Sequence, residues 1–407
     1  MSWHRGDSKR SRVPNGDPER APVPGGDAAG KPIDVGEPTA VEEGGLDRRA
    51  LLVRSAGALA VAGVAAGGLA GYFAGPAEGE TGAAEPDGTL GGQSVDNLVL
   101  ETVTGPIRGR QINWALEHEH LFVDFRGAKD PAYMDVDWSN VTGACVNSVS
   151  ELRGQGVDLF VEYTPMGVGR NALLHRDVSR QTGMNILCAS GIYRASFGIP
   201  PEFRDMSIAD VAAHFVRELT LGVDGTHIRA GFIKIAVDDD GPKAADLRTY
   251  RAAARAANAT GCAIGLHAPV LDAFKAVLRV LESEGLNLSR LIWAHAEYTG
   301  TVDDYKQMAR RGIFVSWDAV TVGGAPGDDV QLDWIGALNE EGLLGKALIA
   351  TDSTIASSPQ GSQYGYQNTY LFRTFKPKLV ARFGDAVART LLRDNVIRAY
   401  RRGANVV

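Results

Sequence analysis

Eight short apolar pulses, spaced along the last three quarters of the chain and separated by segments of helical period, constrain its fold more than any other feature. They run over 112–116, 158–163, 185–190, 231–237, 262–266, 291–294, 313–317 and 347–350. Between them the apolar residues recur at helical spacing, most plainly over 246–260 and 270–284, the latter ended by Gly285. Strands that alternate with helices predict a parallel sheet covered by helices. Eight such units predict a (β/α)8 TIM barrel, an α/β fold, rather than an open doubly wound sheet. No GxGxxG follows a strand pulse, so nothing marks a dinucleotide site. The barrel is assigned to 95–407, with long active-face loops over 191–205 and 320–333.

What precedes the barrel changes character three times. Residues 1–50 are rich in Pro, Gly and mixed charge and poor in aromatics, so they read as a disordered tail. The tail ends in the paired arginines Arg48 and Arg49, followed by Arg54 and then by an uncharged Ala/Gly-rich run to Ala77. Paired arginines ahead of such a run resemble a twin-arginine export signal, and a membrane anchor over 51–77 is the plainer alternative. Either would engage the membrane or the export machinery through residues 48–77 and leave the barrel outside the cytoplasm. Cleavage of the signal is left open. Residues 78–94 read as a linker.

Composition removes one partner class. A net charge of -7 provides no basic face for nucleic acid. Three scattered cysteines form neither a disulfide framework nor a CxxC pattern, and Cys188 and Cys262 lie in apolar runs as core residues.

The polar residues at the ends of the pulses are not randomly placed. The first pulse ends in Glu117-His118-Glu119-His120, and two residues apart on a strand put both imidazoles on one face. The fifth ends in His267, the sixth in His295 and the eighth in Asp352. In this fold those ends meet at one face, where four histidines and an aspartate suit a divalent cation such as zinc. Lys234, amid the apolar residues of the fourth pulse, needs a partner or altered chemistry. An ion pair with Glu162, a Schiff base, and carboxylation to an anionic bridge between two metals are the three readings. Only the last accounts for the lysine and the histidines together. His4, His214 and His227 are given no site role, and His175, in the loop after the second strand, is read as a surface or packing residue.

These fragments, with Val103-Thr104-Gly105-Pro106-Ile107, Tyr163-Thr164-Pro165-Met166-Gly167-Val168-Gly169-Arg170 and Ala309-Arg310-Arg311-Gly312, resemble the phosphotriesterase family of the amidohydrolase superfamily. The resemblance runs from Leu98 to about Gly403. It implies His118, His120 and Asp352 on a buried metal, His267 and His295 on an exposed one, and carboxylated Lys234 between them. It further implies hydrolysis of an ester-type small molecule (phosphotriester, lactone or carboxyl ester) by a hydroxide bridging the metals, with Asp352 as proton acceptor. Gly191-Ile192-Tyr193 is similar to a lactonase-like segment, which makes Tyr193, with Trp317, an expected substrate contact. Glu297 stands near the place of an acidic residue that follows the family's histidine, and Ala319 follows Asp318 where lactonase-like members often have Arg. The rival function is a metal-binding barrel without catalysis, tethered at the cell surface. A lysine-dependent lyase would leave four histidines unexplained, and a homodimer is left open.

Overall fold

A computed structural model of the protein describes residues 93–321, 326–359 and 368–406. The expectations for the tail, for Arg48 and Arg49, and for the segment 51–77 lie outside the described residues, as does nearly all of the linker. Among the described residues no helix is long and apolar enough to cross a membrane.

Two short antiparallel strands come first, β1 (Val99–Thr102) and β2 (Gly105–Arg108). Then follow β3 (Trp114–Asp124), β4 (Val157–Glu162), β5 (Asn185–Ser190) and β6 (Phe232–Ala236). The set continues with β7 (Ile264–His267), β8 (Leu291–Ala294), β9 (Phe314–Trp317), β10 (Ala347–Ile349) and β11 (Thr354–Ser358). β3 to β10 pair in chain order, all parallel, and β11 pairs back onto β3. β10 and β11 are therefore two halves of one broken eighth stave. The first half lies on β9, the second on β3, and residues 350–353 form the kink between them. The Asp352 N–H donates to the His118 carbonyl at 3.1 Å and the His120 N–H to the Ser353 carbonyl at 3.0 Å, so the ring closes at the kink.

The staves are buried almost throughout because helices cover them outside and side chains fill them inside. Alternate residues face inward: Leu159, Val161 and Tyr163; Leu187 and Ala189; Ile292 and Ala294. Leu98 and Leu100 of the N-terminal segment join this interior core with Val396, Ile397 and Tyr400 of the C-terminal helix Asn395–Tyr400. The outer helices begin and end on local signals. Helix α1 (Trp138–Gly154) is capped by Asp137, which accepts from the Ser139 and Asn140 amides. Helix α2 (Ala172–Thr182) starts on the Asn171 side chain and stops at Gly183, whose φ of 71° suits glycine.

Two readings of the sequence are corrected here. The first stave does not stop before the HxH pair but runs on to Asp124. Its register against β4 slips by one residue between Leu116 and Glu119. The extra residue resets the alternation, so Glu117 and His118 both face the interior while Glu119 turns to the β11 side. His175, in turn, lies on helix α2 rather than in a loop and is 1% exposed, its Nε2 3.4 Å from a Glu162 carboxylate oxygen. It is a core residue, not a surface one. The three cysteines are free and buried.

Candidate metal centre

Because the staves are parallel, the residues that end them gather at one rim, around a cavity of about 310 Å³. His120, Lys234, His267, His295, Asp352 and Tyr193 line it. His118 is wholly buried directly beneath. Asp352 Oδ1 lies 3.4 Å from His118 Nε2 and 3.1 Å from His120 Nε2. Ligand atoms of His118, His295 and Asp352 all fall within 4.8 Å of one another. The His267 and His295 rings are 4.3 Å apart, and the Tyr193 ring is 5.6 Å from that of His267. His295 and Asp352 have φ of 65° and 47°, a left-handed conformation that costs a residue with a Cβ. The chain bends sharply at both positions as it leaves the sheet.

The nitrogens are oriented from behind. Asp318, just past β9, accepts from His118 Nδ1 at 2.8 Å, from His295 Nδ1 at 2.6 Å and from the His295 amide at 3.0 Å. Burial alone would push the Asp318 carboxyl up, but the His295 and His118 imidazoles hold it well below the usual carboxylate range, so it is an acceptor. The Thr164 hydroxyl has its proton placed toward Glu162 at 2.5 Å or the Phe122 carbonyl at 3.1 Å. It therefore accepts from His120 Nδ1 at 2.8 Å. His118 thus carries its proton on Nδ1 and presents a bare Nε2 toward Asp352, while His120 Nε2 meets Asp352 Oδ1 within hydrogen-bond distance at 3.1 Å. His118 Nε2 is buried with no hydrogen-bond partner, a costly state for a nitrogen lone pair unless a cation takes it up. The donor set fits a divalent metal.

Burial depresses the imidazoles of His118 (to about 3), His120 and His267, with Lys234 adding to the effect. It also lowers Lys234 itself to about 8, despite the pull of Asp352 and Asp318. A lysine with an accessible neutral amine is one that can be carboxylated. Among the described residues no carboxylate lies within ion-pair distance of Lys234. Glu162 instead bonds Thr164 and faces His175, which sets aside the Lys234–Glu162 ion pair. Lys234 Nζ stands over the Tyr163 ring, 4.2 Å from its centroid.

Trp317 is not a substrate contact. It is wholly buried, packed on Tyr305 and Trp334 between the barrel and its outer helices. Its neighbour Asp318 faces the site, so strand alternation turns Trp317 the other way. Glu297 does not line the cavity either. It is buried behind the rim and accepts from the Asp318 amide at 3.3 Å, while Tyr298 lines the mouth. The orienting residues Asp318 and Thr164 had no role assigned from the sequence, although Asp318 follows its pulse just as the candidate ligands His267, His295 and Asp352 follow theirs. The apolar walls Val123, Phe125, Val168 and Phe197 and the cation Arg194 complete the cavity.

Comparison with known proteins agrees with this geometry. Residues 98–400 match the model of the phosphotriesterase family, whose members are metal-dependent. The chain is 30% identical over 284 residues to a phosphotriesterase homology protein of Escherichia coli K12, covering 69% of this chain and 96% of that one. It is 30% identical over 213 residues to an aryldialkylphosphatase of Saccharolobus solfataricus, covering 52% and 68% respectively. A mutant of a PTE-like lactonase from Deinococcus radiodurans superposes with a TM-score of 0.65 at 25% identity, over 74% of this chain and 99% of that one. With the match running from the N-terminal hairpin through the last helix, and so through every stave that supplies the rim, the chain belongs to the phosphotriesterase family.

Proposed function

We propose that the protein hydrolyses ester-type small molecules (phosphotriesters, lactones or carboxyl esters) at a binuclear centre of two divalent cations, zinc foremost. His118, His120 and Asp352 would hold one cation, His267 and His295 the other, and carboxylated Lys234 would be shared. The observation that carries the reading is the buried, unpartnered His118 Nε2 aimed at Asp352, with His120 Nε2 converging on the same carboxylate oxygen. Bound metals would supply Lewis acidity and a water acidified to near-neutral pH.

The chain's own groups do the rest. Burial disfavours the Asp352 carboxylate, yet the surrounding histidines keep it below its ordinary pKa, so it is anionic and placed to accept the nucleophile's proton. Asp318 keeps the two imidazoles in one tautomer. Phe125, Phe197 and Val168 exclude water from the cavity and seat apolar substituents, and Tyr193 stands beside His267 at the rim. An aryldialkylphosphatase and a lactonase among the similar proteins support ester-type substrates of both phosphorus and carbon. The paired arginines and the uncharged run behind them support export or anchoring through residues 48–77, which would leave the barrel outside the cytoplasm.

Screening the metal-loaded protein against aryl phosphotriesters, lactones and aryl esters tests the proposal. Turnover of at least one class, abolished by a chelator and restored by metal, is the expected result. Two bound metals with no turnover of any class would favour the non-catalytic, surface-tethered barrel instead.

A further inference from the structure

Beneath the ligands lies an aromatic residue that no ligand role explains. Tyr163 follows β4, is wholly buried and belongs to the barrel-interior core. Its ring stacks on the His118 imidazole, with centroids 3.8 Å apart and planes 25° from parallel. The same ring has Lys234 Nζ 4.2 Å from its centroid. One side chain therefore touches both a residue of the proposed buried metal and the proposed bridge.

The ring is itself fixed. Its hydroxyl bonds the Tyr400 hydroxyl, Tyr400 donates to Glu117 Oε2 at 2.7 Å, and the Ser316 hydroxyl donates to the other Glu117 oxygen. On the β7 side the ring is met by Gly265, where a Cβ would stand 2.7 Å from the Tyr163 hydroxyl and 2.9 Å from its ring edge. Only glycine leaves room for the tyrosine. The hydrogen bond from His118 Nδ1 to Asp318 pins one atom of the imidazole but leaves it free to swing about that bond. An imidazole lone pair lies in the ring plane, so ligation needs the plane as well as the atom. The stack on Tyr163 supplies the plane.

We propose that Tyr163 is a positioning residue of the metal centre, a fixed spacer that sets the plane of His118 and the direction of the Lys234 head together. This rests on the metal-centre reading above. It predicts that the ring matters and the hydroxyl matters less, because it is the ring that stacks on His118 and faces Lys234.

The test uses the full chain stripped of metal and titrated with Co²⁺, with bound stoichiometry and the visible absorption band as readouts. Tyr163→Phe should bind within about 3-fold of the wild type. Tyr163→Leu should bind roughly 10- to 100-fold more weakly, the range typical of residues that orient a ligand, with an altered band. Gly265→Ala changes no ligand but crowds the ring, so it should also weaken binding. Adding Tyr163→Phe to Gly265→Ala should restore part of the loss, because the closest contact is with the hydroxyl. Should Tyr163→Leu not fold cooperatively, the Gly265 pair decides. A folded Tyr163→Leu with unchanged affinity and band, or a Gly265→Ala loss indifferent to Tyr163→Phe, would overturn the inference and leave the metal centre standing. A wild-type chain that binds no Co²⁺ would instead remove the metal-centre reading itself.

Discussion

At the scale of single residues, Asp318 and Lys234 make the sharpest predictions. One Asp318 carboxylate orients two imidazoles, so Asp318→Asn, which keeps the shape but places an amide NH₂ against one N–H donor, should disturb both. Metal affinity should fall roughly 10- to 100-fold with little change in secondary structure, as read by metal titration and circular dichroism. Lys234→Ala should lose the shared ligand and nearly all turnover, and short carboxylic acids in solution should restore part of it by filling the vacated space as anions. Two tightly held metals and near-normal turnover in Lys234→Ala would remove the carbamate bridge. The candidate ligands His267, His295 and Asp352 were legible in the sequence because each follows the end of an apolar pulse, a pattern that survives without coordinates. Trp317 was misread because a bulky aromatic near a rim suggests a substrate wall. Period-two alternation, applied from Asp318 backward, would have turned it into the outer core. Tyr163 was invisible because its meaning depends on three other strands.

At the scale of elements, the pulses coincide with β4 to β10 to within about two residues, since a doubly buried strand must be apolar whatever its neighbours. The hairpin β1–β2, the extension of β3 and the strand β11 were missed. Half of β2 is exposed, β3 beyond Leu116 is full of charge, and a register slip is a property of two strands rather than one. The turn after β4 holds another tertiary device. Buried Arg170 bonds both oxygens of Glu218 on helix α3 (Ile208–Thr220), as well as Asp224 and the Ala189 carbonyl. Burial pushes the Glu218 carboxyl up, but Arg170 and His214 together outweigh it and bring the group down to about 2, against an ordinary 4.5. A depressed carboxyl pKa contributes stability that is complete above about 4.5 and lost as pH falls toward 2. Glu218→Gln should therefore cost about 3–5 kcal/mol near neutrality, where it leaves a buried guanidinium short of its partner. That deficit should shrink steadily below the ordinary carboxyl range. Urea unfolding of both proteins at pH 7 and pH 3 checks it; a deficit independent of pH would exclude the charge pair as its source.

At the scale of the whole molecule, the address and the barrel are separable claims. Twin-arginine translocation reads the guanidinium pair, whereas a membrane anchor needs only an apolar run behind positive charge. Replacing Arg48 and Arg49 together by Lys should hold the protein in the cytoplasm, as followed by fractionation of cells; unchanged export would leave the anchor as the route. The barrel should fold without either segment; among the described residues its contacts begin at Ser94, which caps the turn Val95–Asn97, and at Asp96, which pairs with Arg393.

The broken eighth stave has a consequence for how the protein is made. His118 and His120 leave the ribosome on the first stave, while Asp352 follows 232 residues after His120, in the kink that closes the ring. During synthesis the early histidines emerge without the carboxylate on which they converge, so a half-made chain lacks one donor of their proposed site. Metal capture can then report that the last stave has docked. A chain that stalls or is cut before residue 352 should hold a cation at His118 and His120 less firmly, which would tie loading of that position to completed assembly.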